Sequence, residues 1–114
     1  MAYIPERGDI ITLEFAPQAG HEQKGRRPAL VVSNSTFNNF TKMAMVCPIT
    51  DTKRGFPLHV PLDNRTATTG VILCEQVKAL DITARNASFK EKAPSDVIEE
   101  VVDILYGFIE MPSK

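Results

Sequence analysis

The sequence has no tryptophan, only two cysteines among its 114 residues, and no apolar run longer than the five residues 43–47. Each shortage excludes something. A membrane-spanning helix needs about 20 consecutive apolar residues, and a secretion signal needs an apolar stretch where residues 1–9 carry acids and bases. The chain is therefore expected in the cytoplasm, with no membrane partner. Cys47 and Cys74 each sit inside an apolar segment with no second Cys or His at ligand spacing, so they are expected to be reduced core residues. Charge of one sign is not in excess. With 13 Lys and Arg against 14 Asp and Glu, the net charge is −1, which excludes a globally basic nucleic-acid binder. No glycine-rich phosphate loop, zinc spacing or acidic metal cluster occurs, so no metal or cofactor is expected.

What is present is an ordinary globular composition, 43% hydrophobic and 24% charged. A chain of this size buries roughly 65% of its unfolded surface, enough for one core and one domain over residues 1–114. Residues 10–15 alternate, with Ile11, Leu13 and Phe15 on one face and Ile10, Thr12 and Glu14 on the other, which predicts a half-buried strand. Residues 16–28 carry two Gly, two Pro and five charged or histidine side chains without a period. A loop that long in a small domain points to function.

Residues 29–33 and 43–49 read as buried strands, joined by an Asn- and Thr-rich link with room for one helical turn. A polar loop over 50–56, a strand around His59 with the imidazole toward solvent, and a strand beginning at Val71 and running through 80 follow. Residues 88–92 add an edge strand, with Lys90 and Lys92 discouraging unwanted pairing. Short strands punctuated by Gly and Pro predict a mainly β fold, a small antiparallel barrel. The C-terminus changes to helical period: Ser95 is placed to cap a helix with Asp96, Glu99 and Glu100 near its start. Its apolar residues from Val97 to Ile109 span an arc of about 200°, wider than one sheet needs, which predicts self-association.

Chemistry concentrates in two loops. Lys24, Arg26 and Arg27 fall together, and Lys53 and Arg54 adjoin, so a local anion site is expected on a neutral body. Pro28 forces Arg27 into an extended conformation at the mouth of a strand, a rigid place from which a guanidinium can be aimed at a phosphate. His21 beside Glu22 is a candidate acid/base or orienting pair. Thr50 ends an apolar run, so its hydroxyl emerges at the barrel rim, where it can bond a phosphate oxygen or cap the turn. An anion site without a metal still permits RNA cleavage, because the ribose 2′-hydroxyl supplies the nucleophile. DNA lacks that hydroxyl.

These residues fall in a known order: Arg7-Gly8-Asp9, the block 20–33 (GHEQKGRRPALVVS), Pro48-Ile49-Thr50, Gly55-Phe56-Pro57, Thr68-Thr69-Gly70-Val71, and the CEQV block at 74–77 followed by Asp81. In that order the chain resembles the MazF/PemK (Kid) family of toxins. The resemblance implies an SH3-like barrel with a C-terminal helix and a homodimer. It implies a metal-independent endoribonuclease cutting single-stranded RNA to 2′,3′-cyclic phosphate and 5′-hydroxyl ends. It also implies an antitoxin whose acidic tail covers the active groove, and joint binding of that complex to operator DNA. By position, Arg27 and Thr50 match the family's catalytic arginine and threonine, His21 and Glu22 its active-site loop, and Glu75 the acidic general base of Kid-type members. Lys24, Arg26, Lys53, Arg54 and Gln76 are then expected to contact RNA. Leu73 stands where Kid-type members have an arginine, and Asp51 where several have Thr or Ser. The competing expectation is a non-enzymatic toxin of the same barrel fold acting on a protein target such as gyrase.

Overall fold

A computed structural model describes residues 3–15, 26–52 and 57–110. Seven strands and two helices follow in the order β1 (Asp9–Leu13), β2 (Arg27–Val31), α1 (Ser35–Thr41), β3 (Met43–Thr50), β4 (His59–Pro61), β5 (Val71–Leu73), β6 (Lys78–Asp81), β7 (Ser88–Lys92) and α2 (Ser95–Ile109). They form one antiparallel sheet of order β4-β5-β3-β2-β1-β7, with β6 also paired to β3. The sheet curls without closing into a strict barrel, because β4 and β7 each end the path.

The alternation over residues 10–15 marks two buried faces rather than one. Ile11 and Leu13 join Ala29, Val31, Ala44, Val46, Leu80 and Ile82 in one cluster, with Phe15 packed against it. Ile10, expected on the polar face, is fully buried with Leu30, Cys47, Ile49 and Ile72 in a second cluster covered by Val97 and Val101 of α2. A strand in a curled sheet with a helix on its other side has no solvent face at its centre. Gly8, with φ of 98°, lets α2 dock: a β-carbon there would lie 2.5 Å from Ile98 Cδ1.

The link after β2 holds more helix than one turn. Asn34 accepts a hydrogen bond from Phe37 N to start α1, and Lys42 in the left-handed region ends it. The start of α2 also differs from expectation. Pro94 is the N-cap, without a side-chain capping bond, and Ser95 is the first helical residue. Proline supplies the extended backbone that the position requires, and its carbonyl accepts from Val97 and Ile98. The apolar surplus of α2 is visible beyond the core, where Tyr106, Phe108 and Ile109 are exposed.

The strand expected from Val71 to 80 is broken by a 3-10 turn, Cys74–Gln76. The cause is register. β3 pairs with β5 through Ile49↔Ile72 and with β6 through Met45↔Ala79, two registers that differ by three residues. The three surplus residues leave the ladder as the turn. Lys92 on the edge strand, expected to repel other strands, is instead ion-paired with Asp9 at 2.6 Å. Among the described residues no helix is long and apolar enough to cross a membrane.

Candidate active site

The ends of β2 and β3 carry the candidate residues. β2 and β3 pair through Ala29↔Pro48, and continuing that register brings Arg27 level with Thr50, strands about 4.8 Å apart. Together with Arg26, Pro28, Ile49, Asp51 and Thr69 they line an open cleft of about 310 Å³. Arg27 is exposed at the first position of its strand, and the ion pairs among described residues engage Arg65, Lys92 and His59 rather than Arg27. Thr50 Oγ1 accepts from Thr52 N at 3.3 Å. That bond occupies a lone pair and leaves the hydroxyl proton available to a ligand oxygen.

A second segment holds the cleft floor in place. Gly70 has φ of 113°, and a β-carbon there would lie 2.2 Å from Thr50 O and 3.1 Å from Asp51 Cα, so only glycine permits this approach. Next to it, the Thr69 hydroxyl donates to Asp51 Oδ1 at 2.6 Å. The loop is fixed in turn by Glu91, whose carboxylate accepts from Ala67 N, Thr68 N and Thr68 Oγ1. Desolvation raises the Glu91 pKa, but these donors outweigh it and hold the carboxyl below its ordinary value.

Arg26 lines the cleft while one of its terminal nitrogens bonds Thr12 O at 2.7 Å, Ser88 Oγ at 3.1 Å and Asn86 O. That anchor ties β2 to β1 and β7. His21, Glu22, Lys24, Lys53 and Arg54 lie outside the described residues.

Glu75 and Gln76 sit on the 3-10 turn and are not among the residues lining the cleft. Glu75 Oε2 lies 3.1 Å from His59 Nε2, and the His59 side chain is only 6% exposed. The imidazole expected toward solvent is therefore buried, because the turn folds Glu75 over β4. Desolvation raises the Glu75 pKa, but the His59 hydrogen bond helps hold it below the ordinary value. Cys47 and Cys74 are free and buried. Burial pushes their thiols up to about 12 and about 11, so neither is a ready nucleophile. Reading the sequence missed the support given by Thr69, Gly70 and Glu91. Thr-Thr-Gly before a strand was the available signal for the first two, and nothing marked Glu91.

Residues 6–108 match the family described as PemK-like, MazF-like toxin of type II toxin-antitoxin system. The Escherichia coli endoribonuclease toxin MazF is 38% identical over 108 residues, 92% of this chain and 96% of the relative. The Escherichia coli endoribonuclease toxin ChpB is 40% identical over 110 residues, 92% of this chain and 94% of the relative. A crystal structure of MazE-MazF (Form-II) from Deinococcus radiodurans superposes with a TM-score of 0.90 at 40% identity, covering 97% of this chain and all of that one.

Proposed function

The chain belongs to the PemK-like, MazF-like toxins of type II toxin-antitoxin systems, and from that premise we propose how its cleft cuts RNA. The protein is an endoribonuclease, the toxin of its system. Its substrate is single-stranded RNA, and the ribose 2′-hydroxyl attacks the adjacent phosphate to leave a 2′,3′-cyclic phosphate and a 5′-hydroxyl. The observation that carries this is the level placement of Arg27 and Thr50 over one cleft.

A guanidinium with pKa above about 12 stays charged at neutral pH, so Arg27 stabilises rather than transfers protons. Its planar fork suits two oxygens of the phosphorane. Thr50, with its oxygen occupied by Thr52 N, donates to a nonbridging oxygen. His21, Glu22 and Glu75 are assigned to the catalytic set with Arg27 and Thr50, and Lys24, Arg26, Lys53, Arg54 and Gln76 to contact with RNA. No metal is required in this reading, since substrate supplies the nucleophile and Arg27 the countercharge.

The exposed apolar end of α2, with Tyr106, Phe108 and Ile109, supports a homodimer. An antitoxin with an acidic tail fits the same cleft, where Arg27 has no ion-pair partner among the described residues. The complex of the two acts on operator DNA, and the whole chain serves as one toxin domain in the cytoplasm.

The test is primer extension on a long mRNA incubated with purified protein in excess EDTA. A repeated short cleavage motif is expected, and Arg27→Ala should lower cleavage by about a thousandfold while leaving fold and dimer intact. Undiminished cutting by Arg27→Ala overturns the assignment. No cutting by the wild-type protein, with inhibition of a protein target instead, overturns the reading as a whole.

A further inference from the structure

Among the described residues lining the cleft, Asp51 is the one acid, and its position is set from two sides. Gly70 packs its backbone against Asp51 Cα, and the Thr69 hydroxyl binds Oδ1 at 2.6 Å. The carboxylate is thus held by one oxygen. No ion pair among described residues joins it to Arg26 or Arg27, which share the cleft.

Spacing argues for a role in the reaction. Successive Cα atoms lie 3.8 Å apart, so Asp51 stands one residue from Thr50, the threonine assigned above to the phosphate. In a strand the next side chain would point to the opposite face. Asp51 follows the end of β3, in a bend, and lines the same cleft as Thr50. A 2′-oxygen poised to attack lies about 3–3.5 Å from phosphorus, and a base must reach that oxygen within hydrogen-bond range. Glu75 does not line this cleft and is bonded to His59.

We propose that Asp51 is the general base of the cleavage, an inference that rests on the endoribonuclease reading. The carboxylate takes the proton from the 2′-hydroxyl as the 2′-oxygen bonds to phosphorus. The bond from phosphorus to the 5′-oxygen then breaks, and that oxygen takes a proton from water to become the 5′-hydroxyl. Asp51 returns its proton to solvent, so one proton leaves the 2′-oxygen and one arrives at the 5′-oxygen. The carboxylate also has a cost in binding, because it sets a negative charge beside the phosphate. Removing that charge should therefore slow chemistry without weakening the hold on RNA.

The test is single-turnover cleavage, in EDTA, of a single-stranded RNA oligonucleotide carrying a site mapped with the wild-type protein. Asp51→Asn keeps an oxygen for Thr69 and loses the basicity. Its cleavage rate constant should fall about a hundredfold or more, with half-saturating RNA concentration unchanged or lower, while Asp51→Glu retains an intermediate rate. Thermal unfolding accompanies each variant, and if Asp51→Asn does not fold, Asp51→Ser carries the same expectation. A rate equal to wild type in the folded variant overturns the proposal, as does a loss that lies in RNA binding alone. Wild-type cutting beside undiminished Asp51→Asn overturns only this assignment, whereas a wild-type protein that cuts nothing overturns the endoribonuclease reading together with it.

Discussion

The two ends of β1 and β2 hold similar chemistry to opposite purposes. At the start of β1, the Asp9 side chain is 4% exposed and accepts from Tyr3 Oη at 2.5 Å, Glu6 N at 2.9 Å and Lys92 Nζ at 2.6 Å. Desolvation raises its pKa, but Lys92, Tyr3 and the Glu6 amide together hold it below the usual aspartate value, while burial and Asp9 push the Tyr3 hydroxyl up. At the other end, Arg27 is exposed and Asp51 is held through one oxygen. A carboxylate that spends its acceptor capacity on internal donors staples the N-terminal segment to β7. Charged groups left open at an equally rigid rim are available to a ligand.

This contrast can be broken by mutation. Gly70→Ala should have the largest effect on folding, because its β-carbon meets Thr50 O and its φ is positive. A loss of about 3 kcal/mol in urea denaturation is expected, with cleavage lost as the cleft floor shifts. Wild-type stability and activity in Gly70→Ala would show that the rim is not rigid.

Asp9→Ala should cost about 2 kcal/mol, since it strands the Tyr3 hydroxyl and the Glu6 amide while Lys92 can still reach water. Because the folded pKa of Asp9 lies below its unfolded value, its contribution is fully present above about pH 4 and is lost as pH falls through the folded value. Denaturation midpoints measured on the acid side should therefore fall in wild type and fall less steeply in Asp9→Asn. Equal slopes would mean that the staple carries no proton linkage.

The smallest effect belongs to Arg65, which binds Asp63 and Asp96 on the surface at 2.9 and 2.8 Å. Exposed ion pairs contribute little, so Arg65→Ala should leave the melting temperature and the cleavage rate unchanged within error. A clear shift in either would place the 63–65 turn in the same rigid unit as the cleft.

How much of this was legible differs residue by residue. Arg27 could be singled out because Pro28 restricts the backbone locally, and Thr50 because an apolar run ends there. Both are effects of near neighbours. Asp51 as a cleft residue was not legible, since its surroundings come from Thr69, eighteen residues away in sequence, and from Gly70 beside it. His59 was misread for the same reason: period-2 alternation assigned it outward, and a turn displaced from another strand buried it under Glu75.

Local pattern by itself determined that the chain builds short strands and a C-terminal amphipathic helix, that its cysteines lie in the core, and that an arginine stands rigidly at a strand mouth. Those properties follow from side-chain periodicity, burial preference and backbone sterics within a few residues. Only the tertiary structure decided that β1 is buried on both faces, that residues 71–80 split where two registers on β3 differ by three, and that Asp9 and Asp51 meet such different partners. Each of those outcomes depends on which distant segment supplies the neighbouring donor or register, and spacing along the chain carries no record of that pairing.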